Sequence, residues 1–316
     1  MLKYDPIPLE EIRAAQKRIS SDIVRTPLVR FDVEGAPADV YLKLENLQPV
    51  RAFKIRPASN ALRSIDPEQL NRGVWTVSSG NMAQGLAWMA KKLGVRCSIV
   101  LSTEVEQTKL EKILHLGANI TRLPPDKYLK TYLTRTCEGV EGTFVHPFSD
   151  PVVIAGDATI GLEIIEDLPS VDAVVVPWGG GGLTCGIASA MRAVKPDVKI
   201  YAVQIERNRG QFASAFKSKM TITDPFSHMV FPEMFDLALK LIDDVLTVSE
   251  KETAQAIRLM AERNSVVAEG RGAVAVAAAL SGKAGRGKIA CIVSGGNIDL
   301  ETLAKVFEGQ TPTLWE

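Results

Sequence analysis

The sequence predicts an α/β fold in which parallel sheets are wrapped by helices. Short apolar segments alternate with helical segments along most of the chain, as in parallel strands joined by crossover helices. Residues 173–176 are continuously apolar, which is typical of a strand covered on both faces. Glycine-containing loops at Ser79, Gly179 and Ser294 each follow such a strand, and ligands bind beyond the carboxyl ends of strands in these sheets.

The N-terminal half begins with an amphipathic segment, and we expect a helix within residues 1–19. Pro27 keeps Thr26 extended, so residues 20–32 should be a loop that leads into extended structure. Gly94 is a candidate left-handed cap for the helix before it. The expected strands are 40–44, 74–77, 96–101 and 119–123, and the expected helices are 55–63, 82–93, 106–116 and 127–137.

The C-terminal half repeats the pattern after a loop at residues 145–150. Residues 218–235 are the least periodic stretch, and we expect a surface excursion there. The expected strands are 173–176, 199–203 and 288–293, and the expected helices are 158–168, one beginning near Leu183, 254–263 and 272–280.

Composition favours small-molecule chemistry. Lys and Arg total 37 and Asp and Glu total 37, so the formal charge of zero gives no electrostatic case for nucleic acid or an anionic membrane. The longest apolar run, residues 273–280, is too short to span a bilayer, and the N-terminus lacks the apolar core of a signal peptide.

Four scattered cysteines and three dispersed histidines indicate no metal centre and no disulfide framework. We therefore expect a cytoplasmic protein.

Lys54 is the candidate reactive residue. It stands between Phe53 and Ile55, after a strand and before a helix. Apolar neighbours desolvate an ammonium group and favour the neutral amine that a Schiff base requires. A solvated surface lysine is the alternative.

The run Gly179–Gly182 before a helix suits a phosphate, because side-chain-free backbone lets N–H groups converge at a helix N-terminus. A tight packing turn is the alternative. Neither the Walker motif nor the dinucleotide-binding glycine motif is present. A phosphate loop combined with a desolvated lysine points to pyridoxal phosphate.

Four motifs carry a resemblance to a known family: LENLQPVRAFKIRPA, VSSGNMAQGLAW, VPWGGGGLTCGIASA and VSGGNIDL. In this order they resemble the fold-type II pyridoxal-phosphate enzymes, in the branch of serine/threonine dehydratases (threonine ammonia-lyases) and serine racemases. The resemblance implies a two-domain, tryptophan synthase β-like fold and a homodimer. Residues 1–70 and 148–316 would form the large cofactor-binding domain, and residues 71–147 a small mobile domain.

The resemblance also implies residue roles. Lys54 would form the Schiff base and remove the substrate Cα proton, with Phe53 beside the ring. The substrate carboxylate would bind at the loop of Ser78, Ser79, Gly80, Asn81 and Met82, and Asn81 would also contact the cofactor. The phosphate would bind Gly179, Gly180, Gly181, Gly182 and Leu183, and the pyridine nitrogen would face Ser294.

A serine at the pyridine nitrogen makes a weaker electron sink than a carboxylate, because it does not hold the nitrogen protonated. We therefore expect α,β-elimination of L-threonine or L-serine to a 2-oxo acid and ammonia. For Ser79 two interpretations stand, a helix N-cap and a catalytic hydroxyl that would allow racemisation as a side activity.

Departures from the family pattern leave alternatives open. Arg51, Ala52, Met82 and Pro57 replace residues that are usual in the family, and Arg51 could pair with an acidic substrate or be solvated. The alternatives are a racemase, a β-replacement enzyme, a 3-hydroxyaspartate dehydratase and, from another class, a non-catalytic binding protein. A structural Mg²⁺ or K⁺ is an open question, with Glu206 as a weak candidate ligand. Glu269 matches a family position near the cofactor, and the alternative is an exposed loop carboxylate.

Overall fold

A computed structural model describes residues 3–206, 211–218 and 231–314. Ten strands in these residues form two sheets. The expected surface excursion at 218–235 and His228 fall largely or wholly outside the described residues. The strands are β1 (Leu28–Phe31), β2 (Asp39–Lys43), β3 (Val74–Val77), β4 (Cys97–Ser102), β5 (Asn119–Leu123), β6 (Thr143–Phe144), β7 (Ala173–Pro177), β8 (Lys199–Ile205), β9 (Asp244–Val248) and β10 (Lys288–Ile292).

Thirteen α-helices lie within the same described ranges, and they connect and cover the two sheets. Lys54 is the N-cap of the second of them. The helices are α1 (Leu9–Ile19), α2 (Ile55–Ser64), α3 (Pro67–Asn71), α4 (Asn81–Leu93), α5 (Gln107–His115), α6 (Pro125–Thr134), α7 (Pro151–Asp167), α8 (Gly182–Val194), α9 (Gln211–Ser218), α10 (Pro232–Leu241), α11 (Glu250–Asn264), α12 (Gly270–Leu280) and α13 (Leu300–Phe307).

The larger sheet has the order β1-β2-β10-β7-β8-β9, and the smaller sheet has the order β5-β4-β3-β6. All pairs are parallel except β1 with β2, which is antiparallel. The predicted α/β class with parallel sheets is confirmed. The antiparallel edge arises because a short loop joins β1 directly to β2, and a parallel pair would need a crossover connection.

Strand β7 shows why residues 173–176 are continuously apolar. Val174 and Val176 belong to a core cluster shared with α1, α7, α8 and α10. Ala173 and Val175 belong to a second cluster shared with α11, α12 and α13. The strand is therefore buried on both faces, as predicted.

The smaller sheet has its own apolar layer. Val74 and Ile99 pack with residues of α2, α4 and α5. On the opposite face, Trp75 and Val77 pack with Tyr128 and Tyr132 of α6. Helix α2, which follows Lys54, therefore contacts the core of the smaller sheet as well as α7 of the larger one.

Most predicted elements agree with the structure within three residues, and Gly94 adopts the expected left-handed conformation at φ 70°. The helix expected over 158–168 was predicted to begin too late, because α7 begins at Pro151. The Asp150 side chain accepts a hydrogen bond from the Val152 N–H and caps this earlier turn. Six elements have no counterpart in the prediction, because most are short or lack periodicity and α10 begins within the stretch expected to be a surface excursion. They are α3, β6, α9, α10, β9 and α13.

None of the helices in the described residues is both long and apolar enough to cross a membrane.

Candidate active site

Loops from both sheets meet at one place. The loop after β3 carries Asn81, and the loop after β10 carries Asn297. The Asn297 Nδ2 donates to Asn81 Oδ1 at 2.8 Å. The Asn81 Nδ2 in turn donates to Glu269 Oε1 at 2.8 Å. The two loops are therefore joined by a side-chain hydrogen bond between residues 216 positions apart, and Glu269 is bonded to the same asparagine.

The segment before Lys54 pairs with the loop after β10. Ala52 forms an isolated antiparallel bridge with Gly295, and the Phe53 N–H donates to the Ser294 carbonyl at 3.0 Å. The Gly296 N–H donates to the Arg51 carbonyl at 2.9 Å. Arg51 adopts a left-handed φ of 55°, which is uncommon for a residue other than glycine. This pairing holds Lys54 beside Ser294.

Lys54 lies in an enclosed environment at the start of α2. Its Nζ donates to the Pro147 carbonyl at 2.5 Å and lies 4.8 Å from the centroid of the Phe53 ring. Desolvation lowers the pKa of Lys54; the Asp157 charge acts in the opposite direction, and the Arg271 charge lowers the pKa further. The expectation of a desolvated lysine agrees with this geometry.

Two glycines let neighbouring helices approach the backbone around Lys54. A Cβ at Gly85 of α4 would lie 2.8 Å from the Lys54 carbonyl oxygen. A Cβ at Gly156 of α7 would lie 2.7 Å from Pro57 Cα. Because real Cβ atoms do not approach backbone so closely, larger residues at either position would displace the start of α2.

The loop after β3 leaves Ser79 free of a capping role. Gly80 is the N-cap of α4, no side chain caps this end, and the Gly80 N–H donates to Ser78 Oγ at 3.2 Å. The N-cap interpretation of Ser79 is therefore wrong, because the helix begins one residue later than that role requires. Ser79 is half-buried and lies next to Tyr128; burial raises the pKa of Tyr128, and Tyr132 and Ser79 act in the opposite direction. The Ser79 hydroxyl is available for chemistry.

Met82 has a different environment from the rest of this loop. Its side chain is only 2% exposed and packs in the core of the smaller sheet. Gly80 and Asn81 are half-buried at the loop. The thioether of Met82 is thus turned into the core.

The glycine loop before α8 has little room for side chains. A Cβ at Gly180 would lie 2.2 Å from the Phe148 ring. Gly181 has φ 94°, and a Cβ there would lie 2.7 Å from the Trp178 ring. Glycine is therefore required by both space and backbone conformation. The 13-residue helix α8 begins at Gly182, so free backbone N–H groups lie at this end, which fits a phosphate.

Ser294 follows the strand β10, which pairs with β7, at the carboxyl end of the larger sheet. It is 4% exposed, and its Oγ lies 3.4 Å from the Arg271 carbonyl oxygen, a weak donor contact at most. The lysine, the glycine loop and Ser294 thus share one end of the larger sheet, and together they fit pyridoxal phosphate.

Residues 19–295 match the family described as pyridoxal-phosphate dependent enzyme. The chain belongs to this family. The match covers the four motifs up to Gly295 and confirms both the predicted family and the predicted dependence on pyridoxal phosphate.

Members of this family with known activities are similar over nearly the whole chain. L-threonine ammonia-lyase of Thermotoga maritima is 40% identical over 314 residues, which is 95% of this chain and 78% of that protein. L-threonine dehydratase catabolic TdcB of Escherichia coli strain K12 is 34% identical and covers 96% of this chain and 98% of that protein.

Solved structures of the family have the same fold. Maize serine racemase superimposes with a TM-score of 0.83 at 29% identity, covering 96% of this chain and 98% of that one. The processed form of threonine deaminase isoform 2 from Solanum lycopersicum has a TM-score of 0.79 at 27% identity, covering 97% and 90%. The fold-type II architecture predicted for this family member is confirmed.

Sequence reasoning missed several groups at this pyridoxal-phosphate site. His146 is buried, its Nδ1 accepts the N–H groups of Phe148 and Ser149, and desolvation lowers its pKa to about 3, so the ring is neutral. The Tyr128 and Tyr132 hydroxyls lie 3.2 Å apart next to Ser79. The sequence His-Pro-Phe at residues 146–148 could have indicated His146, because it is a polar residue in a predicted loop.

Metal ligands are not grouped in the part of the chain that the structure describes. No cluster of three or more His, Cys, Asp or Glu side chains suited to a metal ion occurs there. Glu206 is exposed and borders an open pocket of about 480 Å³ with Ser249, Lys251 and Thr313.

Proposed function

We propose that this protein is a pyridoxal-phosphate-dependent ammonia-lyase that converts L-threonine or L-serine to a 2-oxo acid and ammonia. The observation that carries the proposal is Lys54, a desolvated amine whose Nζ donates to the Pro147 carbonyl, next to Phe148, which lies against the glycine loop. The preceding residue, Phe53, is hydrogen-bonded to Ser294. The reaction type is supported by the names of the two relatives, which are 40% and 34% identical over nearly all of this chain.

The bound cofactor would supply an electron sink that stabilises negative charge at the substrate Cα. Backbone N–H groups of Gly179, Gly180, Gly181, Gly182 and Leu183 would hold its phosphate. Phe53 would lie beside its ring, Ser294 would face its pyridine nitrogen, and Asn81 would contact its phenolic oxygen.

Lys54 would act as the base. Its depressed pKa increases the fraction of neutral amine near neutral pH, and a neutral amine can accept the Cα proton. The Pro147 carbonyl and the paired segment of residues 51–53 limit where its Nζ can lie.

The loop of Ser78, Ser79, Gly80, Asn81 and Met82 would bind the substrate carboxylate. Backbone N–H groups at the start of α4 and the Ser79 hydroxyl supply donors, and the helix N-terminus favours an anion. Because the Met82 side chain is in the core, we assign its contribution to the backbone.

Racemisation is the second candidate activity. Ser79 caps no helix and lies next to Tyr128, so its hydroxyl is not committed to a helix end. Serine racemase of maize is among the similar structures. A hydroxyl on the face opposite Lys54 would return a proton to the substrate Cα with inverted configuration.

We extend the proposal to the organisation of the protein. Residues 71–147, which contain the whole smaller sheet, would be the small mobile domain, and residues 1–70 and 148–316 the large one. A cytoplasmic homodimer follows from the family resemblance and agrees with four free cysteines. A structural cation with Glu206 as a ligand stays a proposal for metal-dependence assays.

The decisive experiment uses Lys54→Ala, with Lys130→Ala on the exposed face of α6 as the matched control. We expect the Lys54 variant to lose the visible absorbance of lysine-bound cofactor and to release no 2-oxo acid from threonine or serine. The control should retain both properties.

Other outcomes separate the alternatives. Keto acid released at the wild-type rate by Lys54→Ala would contradict the mechanism. Inverted amino acid in a chiral assay, without keto acid, would identify a racemase. Lysine-bound cofactor without turnover of any amino acid, including 3-hydroxyaspartate, would identify a binding protein.

A further inference from the structure

Asp157, the seventh residue of α7, is a buried carboxyl group that the reaction described above does not use. Its side chain is 0% exposed. Neither Oδ1 nor Oδ2 has a hydrogen-bond partner among the described residues. A buried carboxylate without a partner is strongly destabilising, so such a group is neutral or is completed by a ligand.

The carboxyl group is directed at the first turn of α8. A Cβ at Gly182 would lie 3.1 Å from Asp157 Oδ2, and a Cβ at Gly186 would lie 2.9 Å from Asp157 Cβ. The same Gly182 position is 2.9 Å from the Phe148 carbonyl oxygen. Asp157 therefore contacts the residue at which the glycine loop enters the helix.

The charged and titratable groups that act on Asp157 come from four elements. Burial raises its pKa to about 7; the Lys54 charge lowers the pKa, the Glu45 charge raises it, and the Arg56 charge lowers it. Cys185 of α8 also faces the carboxyl group, and burial, with a smaller contribution from Asp157, raises the pKa of this thiol. The thiol stays neutral, so it does not neutralise Asp157.

We propose that Asp157 is a phosphate-binding residue that donates a hydrogen bond from its neutral carboxyl to the cofactor phosphate at the glycine loop. This inference rests on the proposed function only in placing the phosphate at residues 179–183. It adds a side-chain donor to a site otherwise made of backbone N–H groups.

The consequence is a pH-dependent affinity for phosphate ligands. Phosphate monoesters are mainly dianions above about pH 7, since their second pKa is about 6. A dianion next to Asp157 favours the protonated carboxyl, so binding takes up a proton whenever the free carboxyl is ionised. Affinity should then fall on the order of tenfold between about pH 7 and about pH 8.5.

The test measures binding of pyridoxine 5′-phosphate to the full-length protein, freed of cofactor, by calorimetry across this pH range. This ligand carries the phosphate but has no aldehyde, so it cannot react with Lys54. We compare wild type with Asp157→Asn, whose amide keeps a donor that does not titrate. The variant should bind about as tightly as wild type at about pH 7 and lose the pH dependence.

Two controls isolate the carboxyl group. The same pair is measured in a Lys54→Ala background, because Lys54 also titrates next to the site. The pH slope should persist there only when Asp157 is present, and it should move to higher pH because the Lys54 charge no longer lowers the pKa of Asp157. Pyridoxine, which lacks the phosphate, should show no difference between wild type and Asp157→Asn.

The results distinguish this inference from the proposed function. Equal pH slopes in wild type and Asp157→Asn, or no slope in wild type, would overturn the role of Asp157 alone. Absence of binding by both pyridoxal phosphate and pyridoxine 5′-phosphate would overturn the placement of the phosphate, and this inference with it.

Discussion

Two buried carboxyl groups on the same helix, Glu163 and Asp157 of α7, have opposite surroundings. Glu163 accepts hydrogen bonds from Arg56 Nη1 at 2.7 Å and from Lys43 Nζ at 2.6 Å. Asp157, less than two turns away, has no partner in the described residues. Both are almost fully buried. Burial alone therefore does not tell whether a carboxyl group is part of the scaffold or of the site.

Glu163, the carboxyl group with partners, belongs to a network of buried charged side chains. Arg56 makes two hydrogen bonds with Glu45, both 2.8 Å, and two with Glu163, and all three side chains are at most 3% exposed. Lys43 joins Glu163 to the Thr26 carbonyl. Because Arg56 stands two residues after Lys54, this network anchors the helix that begins directly after Lys54.

The difference between the two groups extends to their pKa values. Burial pushes both upward, but hydrogen bonds and charge from Arg56 and Lys43 bring the pKa of Glu163 below its usual value. Asp157 lacks such bonds, and its pKa stays raised. A satisfied carboxylate is held ionised, whereas an unsatisfied one keeps its proton to a higher pH.

Removal of Arg56, the cation shared by Glu45 and Glu163, should have the largest effect on stability. Arg56→Met should lower the free energy of unfolding by about 3 to 5 kcal/mol, because Glu45 and Glu163 are left buried without their main partner. Urea unfolding of the purified variant measures the loss. The matched control is Arg258→Met, which removes an exposed pair with Glu262 and should change the free energy of unfolding by about 0.3 to 0.5 kcal/mol. Equal effects of the two variants would contradict the assigned role of the network.

Neutralising each carboxyl should change the pH dependence of stability in opposite directions. The lowered pKa of Glu163 contributes stability above its unfolded value of 4.5, and this contribution is lost as pH falls through the folded pKa. Glu163→Gln should therefore destabilise the protein at neutral pH, less so in acid. The folded pKa of Asp157 is raised to about 7. Its carboxyl group therefore destabilises the protein increasingly as the pH rises from its unfolded pKa of 3.8 to about 7.

Asp157→Asn should consequently raise the melting temperature of the cofactor-free protein at neutral pH and change it little near pH 4. Thermal scans of both variants from acid to neutral pH test this prediction. A parallel response of the two variants would show that the carboxyl groups share one environment.

The smallest expected effect comes from the edge of the network. Thr159 Oγ1 accepts from Arg56 Nη1 at 3.1 Å and donates to the Gly156 carbonyl at 2.7 Å. Thr159→Val should reduce the free energy of unfolding by about 1 kcal/mol, the typical net value of a hydrogen bond. Thr134→Val at the exposed end of α6 is the control, with an expected change within about 0.5 kcal/mol. A loss in Thr159→Val as large as in Arg56→Met would mean that the hydroxyl, and not the charges, dominates.

Sequence reasoning was most successful where the signal is local. Strands β3 and β5 have the predicted bounds, and the glycine loop after β7 precedes a helix as expected. Lys54 could be selected because its two apolar neighbours and the following helix lie within a few residues of it. The errors were also local in origin: β9 was missed because DVLTV resembles other short apolar runs, and α7 was begun too late because its first turn follows a loop-like segment.

The sequence by itself determined the class of fold and the family, and it singled out Lys54 as the candidate reactive residue, because periodicity, glycine runs and motif order are properties of neighbouring residues. Only the tertiary structure decided that Ser79 caps no helix, that Asn81 meets Asn297 and Glu269, and that Glu163 is paired whereas Asp157 is not. The partner of a buried polar group is set by how helices and loops pack across long separations. A side chain's identity does not specify that packing, so a buried carboxyl group can be paired at one position and left without a partner at another.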